Sequence, residues 1–326
     1  MSVGIIGAGS WGTALAVALS AKKDYPIALW VRSEATYEAI VLKRCNEIYL
    51  PEIRIPSAVL PTLDLKEAVK NKEMVILAVP SAFTREIIRD IRPYLDPGAF
   101  VVSTSKSLEP ETHLRLSVVL EDELPTFLQK GVAVITGPGH AEELARYVPM
   151  VLNISSTHAP AVKAVQEYLA TDDFRLKYEA DMIGMELGGA VSNVAALACG
   201  VIEGVRLGDS LRGGVLAALY RETVSLGRSM GARAVTFAAQ SCLGDYFASC
   251  CSPYSRHRFL GIELGKGRTL ADIRSRQKTI FEGVSMLRSL FALFRQAKIE
   301  SPVTDILFRI LFDGESPAKI FNIIAS

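Results

Sequence analysis

A glycine-rich motif close to the N-terminus constrains the fold of this chain more than any other feature. Three glycines with the spacing G-x-G-x-x-G directly follow the apolar run Val3–Ile6: Gly7, Gly9 and Gly12. An amphipathic stretch over 13–22 and a second apolar run over 27–31 come next. In such a strand, turn, helix and strand unit the first glycine permits the tight turn, the second admits a pyrophosphate, and the third lets helix and strand pack closely. The motif therefore predicts a loop that binds a dinucleotide at a helix N-terminus.

The rest of the chain divides into a strand-rich half and a helical half. Short apolar runs predict strands over 3–6, 27–31, 74–79, 99–103, 132–136, 151–155 and 174–178, with helical patterns between several of them. This alternation is typical of a parallel, doubly wound sheet. Beyond about residue 179, helical patterns replace the strands over 183–203, 213–230, 270–276, 281–297 and 303–312. We therefore predict an α/β fold, with a Rossmann-type domain over 1–178 followed by an all-helical domain over 179–326.

Composition excludes several classes of protein. The 326 residues suffice for two domains. The 36 basic and 35 acidic residues leave a net charge of +1, which argues against a nucleic-acid surface or a polybasic membrane patch. The longest apolar runs fall short of the roughly eighteen residues that a membrane span needs. Five cysteines without a C-x-x-C pair and four histidines without ligand spacing predict a cytoplasmic protein with no disulfide framework and no metal site.

Three predicted strands end in small, flexible or charged residues, over 78–81, 103–106 and 136–139. Ligands of doubly wound sheets bind beyond the carboxyl ends of the strands. We therefore expect these three segments to line a common cleft.

The choice of nicotinamide cofactor depends on the end of the second strand. An NAD-selective fold usually places Asp or Glu there to bind the ribose hydroxyl. This chain has Arg32, with Glu34 two residues later. A guanidinium can pair with an additional ribose phosphate and stack on adenine. The sequence thus predicts NADP or NAD, with NADP bound at least as well; the alternative is a solvated arginine without a cofactor role.

Several longer motifs resemble the NAD(P)-dependent glycerol-3-phosphate dehydrogenases of bacteria, nearly from end to end. The stretches that carry this resemblance are GAGSWGTA at 7–14, WVR at 30–32, NEIYLP at 46–51, ELGGA at 186–190, LGD at 243–245, SR at 255–256 and EG at 282–283. The resemblance implies a dinucleotide domain, a helical substrate and dimerisation domain, and usually a homodimer. It implies hydride exchange between NAD(P)H and dihydroxyacetone phosphate, a small phosphorylated substrate, to give sn-glycerol 3-phosphate.

The resemblance also implies roles for individual residues. The expected cofactor contacts include the glycines of the loop and are Gly7, Gly9, Ser10, Trp11, Gly12, Arg32, Lys106, Ala141, Arg256 and Glu282. The expected substrate contacts are Lys106, Gly137, Gly139, Asp245, Ser255, Arg256 and His257. The candidate catalytic residues are Lys106, Ser192, Asn193, Asp245 and His257.

This chain departs from the family pattern at residues that the resemblance assigns to substrate binding and catalysis. The family motif reads ELGGAxKN, whereas residues 186–193 read ELGGAVSN, so Ser192 takes the place of the proton-transferring lysine. Gly139 takes the place of a serine, and His257 that of an asparagine. Hydride reduction of a ketone creates an alkoxide, which needs a proton and positive charge that a serine hydroxyl does not supply. Loss of a general acid costs a factor of about 10²–10⁴ in rate.

Several readings of the departures stay open. The chain can remain a glycerol-3-phosphate dehydrogenase, with the proton supplied by Lys106 or by His257, whose ordinary pKa near 6.5 suits proton exchange near neutrality. It can be a dehydrogenase for a different substrate, or a dinucleotide-binding homologue without turnover. In a reading outside enzymology, the helical half is a dimerisation or partner-binding module, and the nucleotide is a structural ligand.

Two glycines, Gly188 and Gly189, lie inside a predicted helix just before Ser192. Each costs roughly 1 kcal/mol of helix stability relative to alanine. We therefore expect close approach of another helix or of the nicotinamide at this point.

Overall fold

The computed structural model describes residues 2–21, 26–276 and 280–325. It contains two compact units. The first comprises the residues up to Ser105 together with Leu116–Met182, and the second comprises Lys106–Arg115 and the residues from Ile183 onward. The sequence placed all of 106–115 in the first domain. That assignment is wrong, because this segment belongs to the helical unit and its Leu108 is buried in that unit's apolar core.

The first unit is built on a sheet of eight strands. In chain order the strands of this unit are β1 (Val3–Ile6), β2 (Ile27–Trp30), β3 (Cys45–Asn46), β4 (Leu50–Arg54), β5 (Val59–Thr62), β6 (Met74–Leu77), β7 (Phe100–Ser103), β8 (Val132–Thr136), β9 (Met150–Ser155) and β10 (Phe174–Tyr178). The sheet order is β10-β9-β8-β7-β6-β1-β2-β5. Neighbouring strands are parallel except β8 and β9, while β3 and β4 form a separate antiparallel hairpin. The Rossmann-type prediction is confirmed.

Helices cover both faces of this sheet, as the buried strands of a doubly wound fold require. They are α1 (Ser10–Ser20), α2 (Glu34–Lys43), α3 (Leu65–Val69), α4 (Thr84–Ile91), α5 (Leu116–Glu123), α6 (Thr126–Gln129), α7 (Ala141–Leu144) and α8 (Ala159–Leu169). Strand β1 is buried along its whole length between two apolar clusters. The carboxyl end of β1 leads directly into the glycine-rich loop, so the loop starts from a fully buried strand.

The second unit is helical, as predicted. Its helices are α9 (Met182–Val205), α10 (Asp209–Ser229), α11 (Ala234–Phe237), α12 (Asp245–Cys251), α13 (Arg256–Gly265), α14 (Leu270–Arg276), α15 (Glu282–Ala297), α16 (Pro302–Phe312) and α17 (Asn322–Ala325). Thr269 and Asp272 form a capping box at the start of α14, each side chain accepting the other residue's backbone N–H. Within the described ranges, α9 alone is long and apolar enough to cross a membrane, and its apolar window is wholly buried in the protein.

Helices α9 and α13 cross at glycines, which lets their backbones touch. A Cβ atom on Gly200 would lie 2.1 Å from the Arg258 carbonyl oxygen, and one on Gly261 would lie 2.1 Å from the Leu197 carbonyl oxygen. The Arg258 guanidinium also donates to both oxygens of Glu203 at 3.0 Å. This crossing fixes the two helices that carry Ser192 and His257.

An arginine cluster stabilises the first unit around one carboxylate. Glu123, at the end of α5, is 8 % exposed and accepts hydrogen bonds from Arg85 at 2.7 Å and from Arg89 at 2.8 and 2.9 Å. The hydrogen bond with Arg89 is the main reason that the pKa of Glu123 falls from 4.5 to about 2, although burial opposes it. Because the folded-state pKa is depressed, this carboxylate stabilises the fold above about pH 4.5 and loses its contribution as the pH falls towards 2.

We predict that Glu123→Gln lowers the free energy of unfolding at pH 7 by about 1–3 kcal/mol, because charge-assisted hydrogen bonds are lost. The deficit should shrink as the pH is lowered through the range in which the wild-type carboxylate takes up its proton. Urea unfolding at pH 7 and pH 3 measures both effects. Asp122→Asn is the matched control, because Asp122 is 49 % exposed and 3.6 Å from Arg85. Equal stability of Glu123→Gln and wild type at pH 7 would contradict the assignment.

Candidate active site

The three glycines of the loop have distinct structural roles. Gly7 has φ +115°, and a Cβ atom there would lie 2.7 Å from the Ala78 carbonyl oxygen. A Cβ atom on Gly12 would lie 1.9 Å from the Gly7 carbonyl oxygen. Around Gly9, in contrast, no described atom outside its two chain neighbours lies within 4 Å of the Cβ position. The outer glycines are therefore required by the fold, and the middle one leaves room for a ligand.

Helix α1 begins immediately after this opening. Gly9 is its N-cap, and no side chain in the described ranges caps it. The Gly9 carbonyl accepts the Thr13 N–H at 3.0 Å, so the amides of Ser10, Trp11 and Gly12 precede the first intrahelical hydrogen bond. An uncapped helix start beside an open glycine is a ready anion site. The loop thus fits the pyrophosphate of a dinucleotide.

Arg32 lies just beyond the carboxyl end of β2 and is exposed, as is Glu34. Its guanidinium lies 5.4 Å from the centroid of the Phe83 ring. A cation held near an aromatic ring at the edge of the strand is available to an additional phosphate or to a purine. The predicted role of Arg32 in choosing NADP stays a prediction.

The other predicted residues of the first unit follow β8. Gly137 has φ +131°, and Ala141 is the first residue of α7 and is buried. A Cβ atom on Gly139 would lie 3.0 Å from Met150 Sδ and 3.3 Å from Trp11 Cη2. The position of Gly139, at which the resemblance implies a serine, is therefore closely packed here, and the glycine suits that packing. The ligand contacts assigned to these residues stay predictions.

The helical unit contains a buried carboxylate with three polar partners. Asp245, at the start of α12, is 1 % exposed. The Lys106 ammonium lies 3.0 Å from its Oδ2 and 3.1 Å from its Oδ1. Ser249 Oγ donates to Oδ1 at 3.2 Å. Ser192 Oγ lies 3.1 Å from Oδ2 and 2.7 Å from the Gly189 carbonyl oxygen, and its single proton can go to either.

Burial raises the pKa of Asp245, and Lys106 is the largest of the influences that oppose this shift. Ser192 and Ser249 also favour the charged form by hydrogen bonding. Since a buried carboxylate is costly without a partner, Lys106 holds its charge in place. The Lys106 side chain itself is 20 % exposed, so it keeps access to solvent.

Two neighbours of Ser192 on α9 shape this cluster. Asn193 Nδ2 donates to the Lys106 carbonyl oxygen at 3.0 Å and so fixes the backbone that carries the lysine. A Cβ atom on Gly188 would lie 2.5 Å from Cys242 Cβ, in the turn just before Asp245. The predicted close approach at the glycine pair is confirmed for Gly188, and the approaching group is a neighbouring helical segment.

His257 does not have the properties expected of a proton donor. Its Nε2 accepts the Gly283 N–H at 2.9 Å, so the ring proton of the neutral form lies on Nδ1. Burial, and to a lesser extent the charges of Arg256 and Lys106, lower its pKa to about 3. The expectation of a pKa suited to proton exchange near neutrality is therefore wrong, because tertiary packing desolvates the ring. A neutral His257 positions Gly283 at the start of α15.

The N-terminus of α13 contains two further predicted residues. The Ser255 hydroxyl accepts the Arg258 N–H at 3.3 Å and caps the helix, and the residue is 7 % exposed. Arg256 is exposed, and among the described residues its guanidinium has no hydrogen-bond or ion-pair partner. Glu282 is the first residue of α15. Arg256 is thus available to an anionic ligand, whereas the Ser255 hydroxyl already has a structural partner.

Sequence reasoning missed two contributors to these sites. Ser249 lies one helical turn after Asp245, a spacing that brings side chains together and could have been noticed. Asn46 was noted only as part of a motif, yet it is fully buried beside the glycine-rich loop. The two acceptors of its Nδ2 group lie more than thirty residues away in the chain, so a local sequence pattern does not predict these contacts.

Comparison with known proteins identifies the family of this chain. Residues 2–162 match the family model for the N-terminus of NAD-dependent glycerol-3-phosphate dehydrogenase, and residues 181–322 match the model for its C-terminus. A protein of Thermoanaerobacter sp. named glycerol-3-phosphate dehydrogenase [NAD(P)+] is 36 % identical, over 97 % of this chain and 94 % of its own length. The protein of that name from Desulfitobacterium hafniense is 38 % identical, over 97 % and 88 %.

A solved structure gives the same result. The crystal structure of glycerol-3-phosphate dehydrogenase from Coxiella burnetii superimposes with a TM-score of 0.90 at 29 % identity, and the match covers 100 % of this chain and 98 % of that one. The fold, both family matches and the full-length relatives agree. The chain belongs to the NAD-dependent glycerol-3-phosphate dehydrogenase family.

Proposed function

We propose that this enzyme interconverts dihydroxyacetone phosphate and sn-glycerol 3-phosphate, with Lys106 as the proton donor. NADPH or NADH, when bound, supplies the hydride. The observation that carries the proposal is the Lys106 ammonium at 3.0 Å from the buried Asp245 carboxylate, because it sets a cation in a fixed place. The names of full-length relatives support the substrate pair.

Lys106 serves the reaction in two ways. Its positive charge polarises the substrate carbonyl and stabilises the alkoxide that forms when the carbon accepts hydride. Its Nζ then gives a proton to that oxygen, and the lysine regains a proton from water through its exposed fraction. Asp245 orients the ammonium through contacts of 3.0 and 3.1 Å.

The other candidate residues of the site do not donate the proton in this proposal. The resemblance places Ser192 where relatives have a lysine, and a hydroxyl adds no positive charge. His257 is neutral, with its Nε2 engaged by Gly283. Arg256, exposed at the start of α13, binds the substrate phosphate. Because the resemblance implies a second lysine where this chain has Ser192, we expect turnover to be slower by a factor of about 10²–10⁴.

The direct test measures oxidation of NADH and of NADPH with dihydroxyacetone phosphate. We expect slow but saturable turnover, and Ser192→Lys should raise kcat at least about tenfold by restoring the second ammonium. Ser192→Ala is the matched control and should leave kcat within about threefold, because the hydroxyl is not the acid.

Three results would contradict the proposal. Fast turnover by the wild-type enzyme would show that a serine at position 192 does not lower kcat. Dinucleotide binding without turnover in wild type and in Ser192→Lys would favour a different substrate or a silent homologue. A sharp loss of kcat in Ser192→Ala would make the serine itself the proton donor. A cytoplasmic location and a homodimer are part of the same proposal, and sedimentation of the purified protein tests the second.

Cofactor preference is predicted to depend on Arg32. We expect Arg32→Asp to raise the Kd for NADPH about tenfold or more while leaving that for NADH within a fewfold, because only NADPH offers a second phosphate to the guanidinium. Isothermal calorimetry with each nucleotide measures the two constants. Arg54→Asp, at the end of β4, is a control of equal charge change. An unchanged NADPH to NADH ratio in Arg32→Asp would remove Arg32 from the cofactor site.

A further inference from the structure

The β3–β4 hairpin holds the glycine-rich loop by side-chain contacts within the first unit. Asn46 is 0 % exposed, and its Nδ2 donates to the Ala8 carbonyl oxygen and to Thr13 Oγ1, both at 2.9 Å. Asn46 Oδ1 accepts the Tyr49 N–H at 3.3 Å. Ser10 Oγ donates to the Tyr49 carbonyl oxygen at 2.6 Å. The hairpin turn is therefore tied to residues before and after the open Gly9.

The bond to Ala8 has a geometric consequence for the loop. Ala8 and Gly9 share one planar peptide, in which the C=O and the N–H point in opposite directions. Fixing the Ala8 carbonyl on Asn46 therefore fixes the direction of the Gly9 N–H. The bond to Thr13 fixes the first turn of α1 at the same time. One buried amide thus sets the orientation of the amides on both sides of the ligand opening.

We propose that Asn46, in the β3–β4 hairpin, is a positioning residue that holds the glycine-rich loop in its phosphate-binding shape. The inference depends on the proposed placement of the dinucleotide at this loop. Among the described residues, no atom outside the chain neighbours of Gly9 lies within 4 Å of its Cβ position, whereas backbone atoms confine the Cβ positions of Gly7 and Gly12. The peptide that most needs an anchor is the one that Asn46 holds.

The test compares Kd for NADPH and NADH with kinetic constants. We expect Asn46→Ala to raise both Kd values about tenfold, because a loop that must be ordered on binding loses affinity. At saturating cofactor, kcat and the KM for dihydroxyacetone phosphate should stay within about twofold, because Asn46 acts only through the loop. A structural defect alone would not separate the Kd from the two kinetic constants in this way.

Two further variants keep the test decisive if Asn46→Ala folds poorly. Thr13→Val removes one partner of Asn46 without changing side-chain shape, and we expect a smaller rise in the same two Kd values. Glu47→Gln is the control on the same turn, because Glu47 is exposed and pairs with Lys43, and its Kd values should match wild type. Unchanged Kd values in a folded Asn46→Ala or in Thr13→Val would overturn the proposal.

Failure of the cofactor placement gives a different result. If the dinucleotide binds elsewhere, then the Gly9→Asp variant, which places a negative charge at the loop, binds NADPH as wild type does. If only the positioning role of Asn46 is wrong, the Gly9 variant loses binding while Asn46→Ala retains it. The two ideas are thus separated by one pair of titrations.

Discussion

Gly9→Asp is expected to abolish dinucleotide binding without weakening the fold. Gly9 has φ −74° and ψ −176°, a conformation that any residue adopts, and its Cβ position has no described neighbour within 4 Å. Aspartate is also a favoured N-cap, so the helix gains a capping partner. The same carboxylate, however, occupies the anion site at the helix start. Two negative charges about 4 Å apart repel by roughly 4 kcal/mol at the effective dielectric of a protein surface, which corresponds to a Kd raised about 10³-fold.

Calorimetry with NADPH and thermal unfolding together measure this prediction. Gly9→Ala adds a methyl group without charge and should lose much less affinity than Gly9→Asp. Gly7→Ala tests the opposite case, because its φ of +115° and the Ala78 carbonyl oxygen at 2.7 Å leave no room for a side chain. That variant should lose thermal stability. If Gly9→Asp bound NADPH as tightly as wild type, the phosphates could not lie at this loop.

The same loop shows how much the sequence alone predicts. The order of strand, glycine-rich turn and helix can be predicted from short stretches of sequence, because apolar periodicity and glycine spacing are patterns of a few residues. The β3–β4 hairpin escaped prediction because β3 is two residues long and β4 begins with Leu50-Pro51. Proline disfavours an interior strand, although an isolated hairpin tolerates it.

Contacts between distant segments set the remaining features of the site. Lys106 and Asp245 lie 139 residues apart in the chain, and only the packing of 106–115 onto the helices brings them together. The sequence placed Lys106 at a strand end, which is correct, but it placed the segment after it in the wrong unit. The pKa of His257 likewise depends on burial of its ring and on the charges of Arg256 and Lys106. A reference value for histidine cannot include these effects.

The reaction should depend on Lys106 more than on any other side chain of the helical unit. Lys106→Met keeps the length of the side chain but removes the ammonium that lies 3.0 Å from Asp245. We expect kcat to fall by a factor of about 10³ or more, because both the acid and the positive charge are lost. The Kd for NADPH should change little, since the proposed phosphate site is the glycine-rich loop of the other unit. Stopped-flow oxidation of NADPH and calorimetry measure the two quantities.

Stability must be separated from chemistry in this experiment, because Lys106→Met leaves Asp245 as an unpaired buried carboxylate at a cost of about 3–5 kcal/mol. Adding Asp245→Asn to Lys106→Met removes that charge and should restore most of the free energy of unfolding, while kcat stays low. Lys106→Arg separates charge from proton transfer: the guanidinium keeps the ion pair and the fold, but it does not give up a proton at neutral pH. We therefore expect a stable Lys106→Arg enzyme with kcat reduced about 100-fold or more. Wild-type kcat in that variant would leave Lys106 with an electrostatic role alone, and wild-type kcat in Lys106→Met would remove it from the reaction.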